Sequence, residues 1–212
     1  MALEKHSRVG IQESLRGLVG KKVIVDLRRE NIDSYENIGY VVDLSLDFVT
    51  IHVQNDDIIL DGYTILRVQD ITLVDDKPRY GDFYKKALKL RGYKPKRPVG
   101  ICLNNTASIL DSITKHYPLV TVNREKIRNN ECTIGRIEKL TDKTVILQWL
   151  TASARWDGYS PRYRLTDITK IEFGGLYEDA LALVAGIQPD ESGVYGMGLN
   201  SANKASPPQP PG

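Results

Sequence analysis

Residues 61–72 read Asp61-Gly62-Tyr63-Thr64-Ile65-Leu66-Arg67-Val68-Gln69-Asp70-Ile71-Thr72. Residues 157–169 read Asp157-Gly158-Tyr159-Ser160-Pro161-Arg162-Tyr163-Arg164-Leu165-Thr166-Asp167-Ile168-Thr169. With one residue inserted in the second stretch, Asp-Gly-Tyr, Arg and Asp-Ile-Thr coincide. The correspondence runs outward in both directions. Ile38-Gly39 followed by Val49 and Ile51 matches Ile134-Gly135 followed by Val145 and Leu147, and Tyr80 and Asp82 match Tyr177 and Asp179. Self-similarity in this order marks an internal duplication.

Each copy reads as five short strands between two helices. Val23, Val25 and Leu27 alternate within 22–29, the period of a strand with one buried face. Segments 40–46, 48–53, 63–68 and 71–74 complete the first set, and 119–123, 133–140, 144–150, 163–165 and 169–173 form the second. Apolar spacing of three and four residues predicts helices over 11–18, 81–90, 106–115 and 176–185. Five short strands in each copy suit a small closed barrel, which leaves no exposed sheet edge. The expected fold is therefore mainly β with flanking helices (α+β), as two tandem five-stranded Sm/SH3-like barrels. The repeats span 1–92 and 104–188, with a basic linker at 93–103 and a Pro/Ser/Gly tail at 189–212 expected to be disordered.

The first copy resembles the Sm-like family of RNA-associated small barrels. Leu15, Leu18, Gly20-Lys21, Val23, Val25 and Leu27 are similar to that family's helix-to-first-strand segment. Asp43, Asp47, Val49 and Ile51 are similar to its first motif, with Asp47 in place of the usual asparagine. Leu66-Arg67 with Asp70-Ile71 resembles its second motif, without the glycine after the arginine. Lys143 holds the position of Asp47 in the second copy. The resemblance implies a base-binding role for Arg67, with Arg164 as its counterpart. The tandem arrangement is similar to that of bacterial proteins carrying an Asp-Gly-Tyr…Arg…Asp-Ile signature.

Composition excludes little: 41% of residues are hydrophobic, 26% are charged and the net charge is +2. No apolar run reaches the ~18 residues of a membrane span, and the first residues do not form a secretory signal. Cys102 and Cys132 lack metal-type spacing and read as free thiols of a cytoplasmic protein. No cofactor or metal site is read: His6, His52 and His116 lack ligand spacing. No nucleophile has a base nearby in sequence beyond Cys102, Cys132 and His116. A non-enzymatic protein is expected.

Two features carry the functional expectations. Arg79, Lys85, Lys86, Lys89, Arg91, Lys94, Lys96 and Arg97 are interleaved with Tyr80, Phe83, Tyr84 and Tyr93. Cations with aromatics between them suit single-stranded nucleic acid, with charge for phosphates and rings for bases. The alternative is a solvated helix face and linker. The equivalent helix at 176–185 has no cation, so the fold does not require the charge. The expected binding residues are Lys85, Lys86, Lys89, Arg91, Tyr93, Lys94, Lys96 and Arg97, joined by Arg67 and Arg164, with RNA the leading ligand. The second expectation is a protein–protein or scaffold module using Trp156, Tyr159 and the 176–185 helix, which reads as buried against the other copy or a partner. Here Trp156 is expected to be exposed and Trp149 buried. A third is an enzyme with a site assembled in space around Arg164, His52 or a cysteine. The shared Asp-Gly-Tyr…Arg…Asp also has a purely structural reading. In it Gly62 and Gly158 take positive dihedrals, the tyrosines pack on the barrel rim, and Arg67 and Arg164 pair with Asp70 and Asp167.

Overall fold

The computed structural model describes residues 8–187. His6 and the tail at 189–212 lie outside them. Four helices form: α1 (Arg8–Leu18), α2 (Gly81–Leu90), α3 (Thr106–Thr114) and α4 (Leu176–Val184). The first repeat supplies β1 (Val25–Arg28), β2 (Ile38–Leu44), β3 (Phe48–Gln54), β4 (Leu60–Arg67) and β5 (Leu73–Asp75). The second supplies β6 (Val120–Arg124), β7 (Arg128–Leu140), β8 (Thr144–Trp149), β9 (Arg162–Arg164) and β10 (Lys170–Phe173).

The joining of these strands overturns the expectation of two closed barrels. All ten lie in one antiparallel open sheet, ordered β5-β1-β2-β3-β4-β10-β6-β7-β8-β9. Each repeat contributes five neighbours in the same relative order. Closing a barrel would require β4 to pair with β5 of its own repeat. Instead β4 pairs with β10, from Lys170 opposite Leu66 to Phe173 opposite Tyr63. The short strands β5 and β9 are left as the sheet's edges. Period-2 alternation records which face of a strand is buried and says nothing of its neighbour, so the sequence leaves this pairing open.

The core follows from the pairing. Ile11, Leu15 and Leu18 of α1 pack on Val25, Leu27, Val41, Val49, Ile51 and Leu66. Ile109, Leu110 and Ile113 of α3 pack on Val120, Val122, Val145, Leu147 and Ile171. Phe48 and Ile65 of the first repeat also enter that second core. Leu66 and Ile65 thus serve different cores, as adjacent strand residues must. Two smaller clusters hold the remaining helices: Leu88 of α2 with Ile24, Tyr40 and Val42, and Leu181 and Ala182 of α4 with Leu119 and Leu150.

The duplicated Ile-Gly pairs have a packing reason. A Cβ on Gly39 would lie 2.3 Å from the His52 carbonyl oxygen, and one on Gly135 2.2 Å from that of Gln148. Both sit near a bulge, between Val41 and Asp43 in β2 and between Ile137 and Lys139 in β7. Only glycine allows that approach.

The segment between the repeats is docked on the protein. Ile101 and Leu103 are buried in the second core, and Pro98 is buried. A buried ion cluster also locks the seam. Arg29, which is fully buried, donates to Glu125 of the second repeat (Nη2 to Oε1, 2.6 Å) and pairs with Asp33. Its Nη1 donates to the Thr169 carbonyl (3.3 Å), and the Thr169 hydroxyl donates to Glu125. Among the described residues no helix is long and apolar enough to cross a membrane.

Candidate functional site

The seam brings β3, β4, the α2–α3 connection and the start of α4 around one groove of about 560 Å³. His52, Asp61, Tyr63, Tyr93, Lys94 and Lys96 are among the residues that line it. Three aromatic rings form a column leading to it. Tyr63 stacks on Phe173 of the second repeat (centroids 5.4 Å apart, 25° between planes) and on His52 (4.7 Å, 22°). Tyr117 closes the far side edge-on, 4.8 Å from Phe173. Offset and edge-on contacts of this kind add to the area each ring buries.

Polar groups in the groove are fixed from both repeats. Gly175 precedes α4 and has no side chain with which to cap it, so Asp61 of the first repeat does so. Its Oδ1 accepts the Leu176 backbone N–H at 2.7 Å, where a carboxylate also meets the positive end of the helix dipole. Asp61 Oδ2 accepts from Asn55 Nδ2 at 3.1 Å. His52 Nδ1 accepts the Lys96 backbone N–H at 3.1 Å. The ring is therefore neutral with its proton on Nε2. Burial, with the nearby Lys96 charge, lowers its pKa to about 4 despite the opposing pull of Asp61. Burial likewise raises Tyr63, and it takes Tyr117 to about 12, helped by Tyr63 and Asp179. At the start of α4, Glu178 is raised by burial although Thr121 donates to it at 2.6 Å. Asp179 is raised by burial and by the Asp61 charge.

The basic residues named from sequence divide by type. Lys85, Lys86, Lys89, Lys94 and Lys96 are exposed, and none has a side-chain ion pair among the described residues. The arginines are engaged. Arg91 Nη1 donates to the carbonyls of Asp57 (2.7 Å) and Ile58 (2.8 Å), and its guanidinium lies 5.8 Å from the Tyr93 ring centre. Ile58 has φ 56, a costly left-handed turn for a β-branched residue, so Arg91 holds the β3–β4 turn. Arg97 pairs with Asp43 at 2.7 Å.

Neither Arg67 nor Arg164 lines the groove with Lys94 and Lys96. Arg67 Nη2 donates to the Leu165 carbonyl at 2.7 Å across the seam, beside a separate hollow of about 250 Å³ lined by Asp47, Asn105 and Thr106. Arg164 is exposed on edge strand β9. The expected pairing of Arg67 with Asp70 is replaced: Asp70 accepts from Lys126 of the second repeat at 2.6 Å. Arg164 makes no pair with Asp167 among the described residues. Neither Arg164 nor a cysteine lines the groove, whereas His52 does.

The two tryptophans exchange their expected places. Trp149 is 37% exposed on β8, while Trp156 is half-buried against the cluster under α4, with Arg136 5.4 Å from its ring centre. Tyr159 is 66% exposed, unlike its counterpart Tyr63 in the aromatic column, which corrects the expectation that both pack on a barrel rim. Gly62 adopts φ 65 as expected, but Gly158 takes no positive φ. Helix α4 buries Leu181 and Ala182 and exposes Leu176, Tyr177, Leu183 and Val184, so it is only partly covered.

Sequence reading missed Asp61 and Tyr63 as groove residues and named His52 only for the site of an enzyme. The duplicated Asp-Gly-Tyr was a signal, but its second copy lines no seam.

No family model and no curated protein matches the chain. A solved structure of apo MrkH from K. pneumonia aligns over 86% of this chain and 91% of that one, at 11% identity. Its TM-score of 0.19 carries no argument about fold or function.

Proposed function

We propose that the protein is a non-enzymatic binder of single-stranded nucleic acid, RNA first, along α2 and the segment that leads from it into the seam groove. The observation that carries this is the set of exposed lysines without ionic partners among the described residues, Lys85, Lys86, Lys89, Lys94 and Lys96, the last two at a groove lined by Tyr93 and His52. Lysine is a mobile point charge suited to phosphates, and the arginines, being committed to carbonyls and to Asp43, hold the scaffold. Arg67 and Arg164 fall outside this path.

Fluorescence anisotropy with a labelled 12-nucleotide RNA tests it. Five phosphate contacts on a single strand give a log–log salt slope of about −3.5, so affinity drops about a hundredfold between roughly 50 and 200 mM salt. Replacing Lys85, Lys86 and Lys89 with alanine is expected to flatten the slope by about 2. Binding that is absent, or indifferent to salt, ends the proposal.

A second reading rests on α4. Leu176, Tyr177, Leu183 and Val184 are 59%, 53%, 80% and 73% exposed, an apolar face of the kind that docks on protein. Trp156 packs against the cluster beneath this helix, and Tyr159 is 66% exposed. A second copy is the first partner to test. Sedimentation should show self-association that Leu183→Glu removes without lowering the melting temperature. A monomer at every concentration excludes that partner.

A further inference from the structure

We infer that the seam groove takes one unstacked base of the bound strand and that His52 and Asp61 make it select guanine. The inference rests on the nucleic-acid reading above and adds what the groove itself recognises. Three groups with fixed chemistry line the groove. Tyr93 is half-buried beside the cluster of Leu88 and Tyr40 and offers a ring for stacking. His52 has its Nδ1 occupied by the Lys96 N–H, so its Nε2–H is a donor, and that donor has no partner among the described residues. Asp61 is held by Asn55 and the Leu176 N–H, one bond to each oxygen, which leaves further acceptor capacity on both.

Of the groups held by hydrogen bonds in the lining, His52 presents one hydrogen-bond donor and Asp61 a carboxylate. Among the four bases, only guanine offers an acceptor followed by two adjacent donors on its Watson–Crick edge (O6, N1–H and the N2 amino group). Its O6 matches His52, and its two N–H groups match the carboxylate. Uracil places carbonyl oxygens on both sides of its single N–H, and one of these would face Asp61. Adenine and cytosine each offer one amino group next to a bare ring nitrogen. Unpaired bases are read on this edge while they stack on aromatic rings. Lys94 and Lys96 also line the groove, as cations for the phosphates on either side of the base.

The neutrality of His52 matters to this reading, because an imidazole whose Nδ1 accepts a backbone N–H has a single donor to give. Gly62 and Gly174 line the groove as well, so no side chain from either position occupies it.

The test uses the full chain and 12-nucleotide oligouridines with a single central U, G, A or C. The central G is expected to tighten binding about tenfold over the all-U strand, the size of a good bidentate contact to a base. Asp61→Asn should bring the ratio of G to all-U affinity down to about one, since the amide loses an acceptor for guanine's N–H groups and offers a donor to a uracil carbonyl, while asparagine caps a helix about as well as aspartate. An unchanged melting temperature shows that the α4 cap has survived. Tyr93→Leu should weaken all four oligomers by about tenfold through lost stacking. Equal affinity for the four oligomers, or a G preference that persists in Asp61→Asn, overturns the guanine assignment and leaves the lysine path standing. If no oligomer binds, both readings fall.

Discussion

Glu125→Ala is expected to lower the unfolding free energy by at most about 3–5 kcal/mol, the cost of breaking a buried pair, because it takes one of two carboxylates from Arg29 and leaves it Asp33 alone. The Arg29 side chain is 0% exposed, and its Nε already has no hydrogen-bond partner among the described residues. Glu131→Ala is the control. Its pair with Arg128 spans 2.8 Å, but both side chains are about 60% exposed (60% and 61%), and its loss should cost no more than about 0.5 kcal/mol. The effect also carries a pH signature. Burial pushes the Glu125 carboxyl up, yet the hydrogen bonds from Arg29 and Thr169, with the charges of Arg29 and Lys170, hold it below its ordinary value of 4.5. A depressed carboxylate stabilises the fold above its unfolded pKa and loses that contribution as pH falls through the folded value. The gap between wild type and Glu125→Ala should therefore be full near neutrality and shrink below about pH 4.5. Urea titrations at pH 7 and at pH 3.5–4 read both quantities. Arg29 belongs to the first repeat and Glu125 to the second, so wild type should unfold in one transition. A loss under about 1 kcal/mol would remove the cluster from the list of what holds the seam.

Much of the local structure was legible in the sequence. Alternation at Val23, Val25 and Leu27 marks β1, the Ile-Gly pairs mark the bulged strands β2 and β7, and the periodicity at Ile109, Leu110 and Ile113 marks α3. What alternation cannot encode is partnership. Alternation turns Ile65 and Leu66 to opposite faces, and the β4–β10 pairing puts Ile65 in the core of the second repeat. The candidate site was half legible for the same reason. Lys85, Lys86, Lys89, Lys94 and Lys96 are close in sequence and are all exposed. His52 and Asp61 meet the α2–α3 connection and α4 only because the repeats share an edge. Residue type misled at the arginines, where a basic run suggests phosphate contacts. Arg91 spends its donors on a turn whose Ile58 needs them, and Arg97 meets Asp43. The tryptophans show a further limit. Trp149 and Trp156 differ in exposure because the loop after β8 bridges back, with Leu150 opposite Trp156, and folds the second indole under α4. Nothing in the alternation of β8 announces that turn.

The duplicated Asp-Gly-Tyr gives a sharp test of the seam, because one motif occurs in two environments. Gly62→Ala is expected to cost about 2–5 kcal/mol, the sum of a left-handed backbone at a non-glycine residue and an overpacked contact. Gly62 has φ 65, and its added Cβ would lie 2.7 Å from the Gly175 nitrogen, 2.8 Å from the Gly175 Cα and 2.9 Å from the Phe173 carbonyl oxygen. All three are backbone atoms of the second repeat, so no side-chain movement relieves them. The backbone must shift where Asp61 caps α4, and the cap loosens with it. Gly158→Ala should stay within about 0.5 kcal/mol, because that position has no positive φ and nothing within 4 Å of a new Cβ. Melting temperatures of the two single variants, read by circular dichroism, give the comparison directly. In separately closed barrels the two glycines would be equivalent, and the two variants would lose similar stability. An asymmetric loss is the signature of one sheet in which only the first motif faces the other repeat. Equal losses would mean that β4 does not meet β10, and the groove built on that contact would have no walls.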